Sequence, residues 1–211
     1  MTSPPPAPPA STTVESPVVN IVGELVALGP LRRDLLSTYE RWINDFAAAR
    51  NLGVPPRPVS TDAETAWFDG VIANPTDASF TIYERATRRP IGTTSLHRID
   101  HRNRTAEFGI LIGEADARGR GFGTEATRLM LDYAFTALGL HNLILYVMAY
   151  NVAGIRAYEK AGFREFGRRR EAALMGGRLW DIVYMECLAS EFTSPLLAKI
   201  FAPDEPRSRD R

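Results

Sequence analysis

The stretch ARGRGFGTEA, residues 117–126, sets three glycines and two arginines directly before the first residues of a helical pattern. Immediately upstream, EFGILIG (107–113) has the β-branched and aromatic content of a strand. A strand, a glycine-rich turn and a helix in that order build an anion site. Glycine removes the side chains that would block approach, successive N–H groups point into the concavity, and the positive end of the helix dipole adds attraction. A phosphate or pyrophosphate is the matching guest, although such turns also serve simply to pack a helix on a sheet. Two familiar phosphate loops do not fit. The ATP-binding loop needs Lys and Ser or Thr after its last glycine, and Gly123 is followed by Thr124 and Glu125. A dinucleotide fold carries its loop after the first strand, whereas this one follows a fourth strand.

Working outward, Phe122, Ala126, Leu129, Met130, Tyr133, Ala134 and Ala137 mark one face of a helix that stops at Gly139. NLILYVMAY (142–150) is a nearly continuous apolar run, as expected of a strand covered on both faces. Asn151 then caps a short helix ending at Gly162, and two strands joined around Met175–Gly177 close the pattern. Upstream of the loop, residues 79–113 hold three strand-like runs separated by polar turns, which predicts three antiparallel strands. Before them, GELVALGPL reads as a first strand. Leu31, Leu35, Leu36, Tyr39, Trp42, Ile43 and Phe46 lie at helical spacing, and Ser60 or Thr61 with Glu64 starts a second helix running to about Asn74. The predicted order is strand, two helices, three strands, helix, strand, helix, two strands.

The chain has 211 residues, 45% hydrophobic and 24% charged, enough for one domain with a proper core. Six prolines in the first seventeen residues and almost nothing to bury mark 1–17 as a flexible tail, and 203–211 as a second, polar one; the domain is expected over 18–202. Lys plus Arg and Asp plus Glu number 25 each, so no overall field favours nucleic acid or an anionic membrane. Cys187 is the only cysteine, which excludes an intramolecular disulfide and fits a reducing, cytoplasmic setting. Neither a membrane-length apolar run nor a secretory leader is apparent.

RGRGFGTEA, followed about 28 residues later by NVAGIRAYEKAGF, resembles the acyl-CoA signature of the GNAT acetyltransferase superfamily. The resemblance extends from about Gly23 to Glu191, and ERWINDF, AEFGILIG and GRLWDIVYMECL are similar to the RimJ/RimL-like branch. It implies an α/β fold with a mixed, mostly antiparallel sheet of six or seven strands, flanked by about four helices and split between strands four and five. It further implies an acetyl-CoA-dependent N-acetyltransferase without a metal, acting on a small-molecule amine or a peptide N-terminus, as a monomer or homodimer. The alternative is an acyl-CoA-binding module without catalysis. By the same resemblance, Leu111, Ile112 and Gly113 offer backbone groups to the pantetheine amides. The amides of Gly119, Arg120, Gly121, Phe122, Gly123 and Thr124 cradle the pyrophosphate; Arg118 and Arg120 either add charge there or form a solvated face.

Acyl transfer to an amine needs a base for the amine and a proton for the leaving thiolate. Glu107, on the fourth strand, is the candidate base, directly or through water; its alternative role is to pair with a nearby arginine. Some relatives place a glutamate on the fifth strand where this chain has Tyr146. Tyr158 lies two helical turns beyond Asn151, on the same face. The resemblance makes Tyr158 the acid toward the CoA sulfur and Asn151 a pantetheine ligand; a core aromatic and a plain cap are the competing roles. His97, with Arg98 and His101, and Trp180 with Asp181 are candidates to line the acceptor site; by the resemblance Trp42, Asn44 and Asp45 border it too, with core packing the favoured role for Trp42 at its helical spacing. The two nearby histidines lack a third ligand at metal spacing.

Overall fold

A computed structural model of the chain describes residues 16–55 and 57–204. Its strands form one sheet of eight, in the spatial order β1 (Ile21–Val22), β2 (Val26–Pro30), β3 (Ala78–Glu84), β4 (Pro90–Asp100), β5 (Thr105–Ile112), β6 (Asn142–Met148), β8 (Arg178–Leu188), β7 (Arg164–Met175). All neighbours are antiparallel except β5 and β6. The helices are α1 (Leu36–Asn44), α2 (Phe46–Ala49), α3 (Thr61–Ala73), α4 (Phe122–Asp132), α5 (Val152–Ala161) and α6 (Leu197–Ile200). The expected α/β architecture is present. The expected tails, 1–17 and 203–211, lie almost entirely outside the described residues.

Three details differ from the reading of the sequence. A two-residue strand, β1, precedes the expected first one, so the expected fourth and fifth strands are β5 and β6. Its cause is Glu125, in the first turn of α4, whose carboxylate accepts the N–H groups of Glu24, Leu25 and Val26 at 2.6–2.7 Å and folds the chain back at Gly23. The helix expected across Leu31–Phe46 is broken. Arg33–Leu35 forms a single 3-10 turn, and Asp45 leaves α1 with extended backbone to cap α2, its Oδ1 accepting Ala47 N–H at 2.9 Å. Finally, β6 is fully covered on one face, where Leu143, Leu145 and Val147 are buried, and only partly on the other, where Met148 is buried but Ile144 and Tyr146 are 36% and 43% exposed.

Alternation along the strands sorts the core into two layers. On one face, Ala106 and Phe108 of β5 join Leu143, Leu145 and Val147 of β6 beneath Phe122, Ala126, Leu129 and Met130 of α4. On the other face, Leu111 packs with Tyr39 and Trp42 of α1 and Phe68 of α3. Gly113, just past β5, allows the closest approach in this layer. A Cβ there would sit 2.2 Å from two ring carbons of Trp42.

Candidate active site

β5 and β6 pair only at Thr105–Asn142, Ala106–Leu143 and Glu107–Ile144. Beyond Glu107 the strands part, and a seam opens between Phe108–Ile112 and Leu145–Met148. The N–H of Gly113 donates to Ile91 O on β4 at 2.9 Å, and Leu111 is registered with Thr93 of the same strand. By pleat alternation the peptide groups of Phe108, Ile110 and Ile112 therefore face the seam. Against the expectation, Leu111 and the N–H of Gly113 turn to β4, and the carbonyls of Ile112 and Gly113 accept from Arg118; Phe108 and Ile110 present the open edge.

Past the open end of the seam, the chain enters the glycine loop. Gly119 and Gly121 have φ of +73° and +88°, a left-handed backbone that glycine adopts without penalty. Gly121 begins α4 with no side-chain cap. Among the described residues, no backbone N–H from Gly119 to Thr124 donates a hydrogen bond. A Cβ at Gly119 would meet nothing within 4 Å. Unspent N–H groups at a helix N-terminus, open to approach, fit a pyrophosphate.

The two arginines are otherwise engaged. Arg118 turns inward: its Nε donates to Ile112 O at 3.1 Å and its Nη2 to Gly113 O at 2.8 Å, with Asp45 Oδ2 at 3.3 Å. It clamps the end of β5 to the start of α2, rather than facing the loop. Arg120 lies over the Phe122 ring at 4.7 Å and reaches Glu84 Oε1 at 3.3 Å, where it remains half-exposed.

Glu107 stands at the last residue pair before the seam. Its Oε2 accepts Arg98 Nη1 at 2.7 Å, which realises the arginine pairing and leaves Oε1 free among the described residues. Phe108, the next residue, points to the opposite face, where its ring meets Tyr158 at 6.2 Å. Glu107 and Tyr158 thus approach the vertex from opposite faces of the sheet. Burial pushes the Tyr158 hydroxyl up to about 12, so it holds its proton at neutral pH. Asn151 caps α5, its Oδ1 accepting Gly154 N–H at 3.0 Å, and its amide NH2 is uncommitted among the described residues.

The acceptor candidates divide. Trp42 is 1% exposed and donates Nε1–H to Glu114 Oε1 at 2.9 Å, so it belongs to the core. Asn44 spends its side chain on Glu40 O, Val59 O and Val59 N, each at 2.9 Å, fixing the loop before α3. Trp180 donates to Met175 O and packs edge-on against Tyr150, while Asp181 accepts Glu171 N–H at 3.1 Å. Both shape the β7–β8 end. His97 alone combines exposure with a polar chain: Nε2 lies 2.6 Å from Ser95 Oγ and Nδ1 lies 3.1 Å from Asp77 Oδ2. Sequence reasoning missed both Asp77, twenty residues away, and Ser95, whose place two residues along the same strand face was the available signal. His101 is exposed in the β4–β5 turn. The segment after α2 was also missed. It crosses β6 so closely that a Cβ at Gly53 would lie 2.2 Å from Met148 Cε and 3.2 Å from a Tyr146 ring carbon.

Among the described residues, no group of three or more His, Cys, Asp or Glu side chains is placed to hold a metal ion, and no helix is long and apolar enough to cross a membrane. A family model for the acetyltransferase (GNAT) domain matches residues 26–164. The chain is 35% identical over 111 residues to the spermidine N(1)-acetyltransferase of Vibrio cholerae serotype O1, covering 53% of this chain and 64% of that one. It therefore spans a little under two thirds of that relative's length. To the spermidine N(1)-acetyltransferase of Escherichia coli K12 it is 28% identical over 160 residues, 76% of this chain and 84% of the relative. A putative ribosomal N-acetyltransferase of Bacillus subtilis is 34% identical over 101 residues, 48% and 55% of the two chains. The crystal structure of the Vibrio cholerae spermidine N-acetyltransferase with CoA and spermine superposes with a TM-score of 0.73 at 29% identity, covering 79% of this chain and 97% of the other.

Proposed function

The chain belongs to the GNAT acetyltransferase family, and from that membership we propose that it transfers the acetyl group of acetyl-CoA to a primary amine by direct attack. One observation carries this reading. Strand pairing stops at Glu107, and the uncommitted amides of Gly119–Thr124 lie past the open end of the seam. Acetyl-CoA supplies the acetyl group as a thioester. The seam-facing peptide groups of Phe108 and Ile110 provide a strand edge for an amide-bearing chain, Asn151 offers its NH2, and the loop amides hold the diphosphate. Glu107, on the face shared with α1 and α3, meets the amine. Tyr158, on the other face, holds the proton for the departing sulfur. The domain comprises residues 18–202, and a single buried free cysteine supports a cytoplasmic setting.

The acceptor is a small-molecule amine of the polyamine type, a reading supported by the spermidine-acetylating relatives. A peptide N-terminus is the second reading. It is supported by the RimJ/RimL-like stretches and the putative ribosomal relative, and would place the chain in that branch. Calorimetry with CoA, then a thiol-release assay with acetyl-CoA and either spermidine or short peptides, tests both. Saturable CoA binding and release with spermidine are expected. CoA binding without release on any acceptor would identify a non-catalytic acyl-CoA-binding module instead.

A further inference from the structure

We propose that the amine's proton leaves through Ser95 to His97, with Asp77 orienting the imidazole, while Glu107 holds the incoming cation. This deepens the acetyltransferase reading above and rests on it. Asp77 Oδ2 faces His97 Nδ1 at 3.1 Å, and Asp77 Oδ1 accepts the N–H of Arg98 at 3.1 Å, so the carboxylate is pinned. A carboxylate at Nδ1 makes that nitrogen the protonated one. Nε2 is then the acceptor for the Ser95 hydroxyl at 2.6 Å, and the two lone pairs of Ser95 Oγ are left to accept.

Across from the pair lies β5, whose other edge borders the seam. Ser95 is registered opposite Gly109 of β5, and His97 opposite Glu107. A Cβ at Gly109 would come within 3.5 Å of both Ser95 Oγ and His97 Nε2, so only glycine leaves the pair uncovered. The charged groups around the ring are Asp77 from the turn before β3, Glu107 across on β5, and Arg98 next along β4. Arg98 has φ of +52°, a strained conformation that lets its N–H reach Asp77 while its guanidinium neutralises Glu107 at 2.7 Å. Glu107 so paired suits holding a cation through Oε1, whereas imidazole is the side-chain base suited to proton transfer near neutral pH.

The step balances. One N–H bond of the attacking amine breaks as an O–H bond forms at Ser95, whose own proton passes to Nε2. The resulting imidazolium, stabilised by Asp77, returns its proton to solvent from a ring that is 40% exposed. Ser95 is the group that touches substrate; His97 and Asp77 act through it.

The test uses the full chain with acetyl-CoA and spermidine, or a short peptide if that is the better acceptor. H97Q and S95A should each lower kcat/KM for the amine by about 10²–10⁴-fold without changing CoA affinity in calorimetry, and S95T should restore most of the loss. H97Q should also flatten the acidic limb of the kcat/KM profile against pH, whereas E107Q should keep that limb and raise KM. Covering the pair with G109A should mimic S95A. In the protein without acetyl-CoA, 15N NMR should show His97 protonated at Nδ1, a state lost in D77N. A limb retained in H97Q and lost in E107Q, or an Nε2-protonated ring, would overturn the relay and leave the acetyltransferase reading standing. No thiol release by the unaltered protein with any amine would overturn both.

Discussion

Gly113→Ala adds a single methyl group where the structure has no room for one. The new Cβ would lie 2.2 Å from two Trp42 ring carbons and 2.5 Å from a third. Ordinary carbon contacts are about 3.5–4.0 Å, so the indole must retreat by roughly 1.3–1.8 Å. Its retreat is blocked: Trp42 is 1% exposed, tied to Glu114 by its N–H and packed against Tyr39. Gly113 does not have a positive φ, so backbone strain contributes nothing and the clash stands alone. Overpacking of this kind costs about 1–3 kcal/mol, and a rigid indole places it near the top of that range. For a domain of this size the melting temperature should fall by about 6–12 °C. Urea denaturation gives the free energy directly. In a Trp42→Ala background the same methyl falls into the cavity and should cost under about 0.5 kcal/mol, a coupling of about 2.5 kcal/mol. An equal cost in both backgrounds would refute the packing argument.

Gly119→Ala separates binding from folding: its φ of +73° costs about 1 kcal/mol of strain, with nothing nearby to clash, yet CoA affinity in calorimetry should fall at least about tenfold. Unchanged affinity would remove the diphosphate from this loop. Tyr158→Phe should lower kcat by on the order of 10²-fold while leaving CoA binding intact, and its burial to about 12 means the unaltered enzyme loses no activity through this group up to pH 10. Glu64, 6% exposed, is held up at about 7 from an ordinary 4.5 by burial and then by Glu40. From about pH 4.5 to 7 the native state keeps a proton that the unfolded chain has lost. Stability therefore falls as pH rises through that window, by on the order of 2–3 kcal/mol, and the deficit is complete above it. Glu64→Gln should abolish that slope in urea melts at pH 5 and pH 8; an unchanged slope would exclude Glu64 as its source.

The glycine loop was legible because its open backbone depends on what local residues lack, and absence of side chains is written directly in the sequence. Strand order and the α4 and α5 helices were legible for a similar reason, since period and caps are local. The parting of β5 and β6 was implied only by family resemblance, because where two distant strands stop pairing depends on the whole sheet. The same cause explains β6. An unbroken apolar run does not reveal that Ile144 and Tyr146 lie on a face that is only partly covered. Arg118 looked like a phosphate ligand because its turn toward Gly113 O is a tertiary fact. Trp42 at its helical spacing read as core and is core, whereas Asp77 could not be joined to His97 across twenty residues without the fold that brings them together.

Only three rungs, Thr105 to Glu107 against Asn142 to Ile144, stitch the first five strands to the last three. Under tension this is the shortest pairing in the sheet apart from the two rungs of β1, and α4 and α5 bear on the load across it. A molecule lodged along the parted edges would act as a removable rivet. Pulling experiments on single molecules should therefore register cofactor occupancy as added mechanical strength, most of all when the force is applied across that boundary.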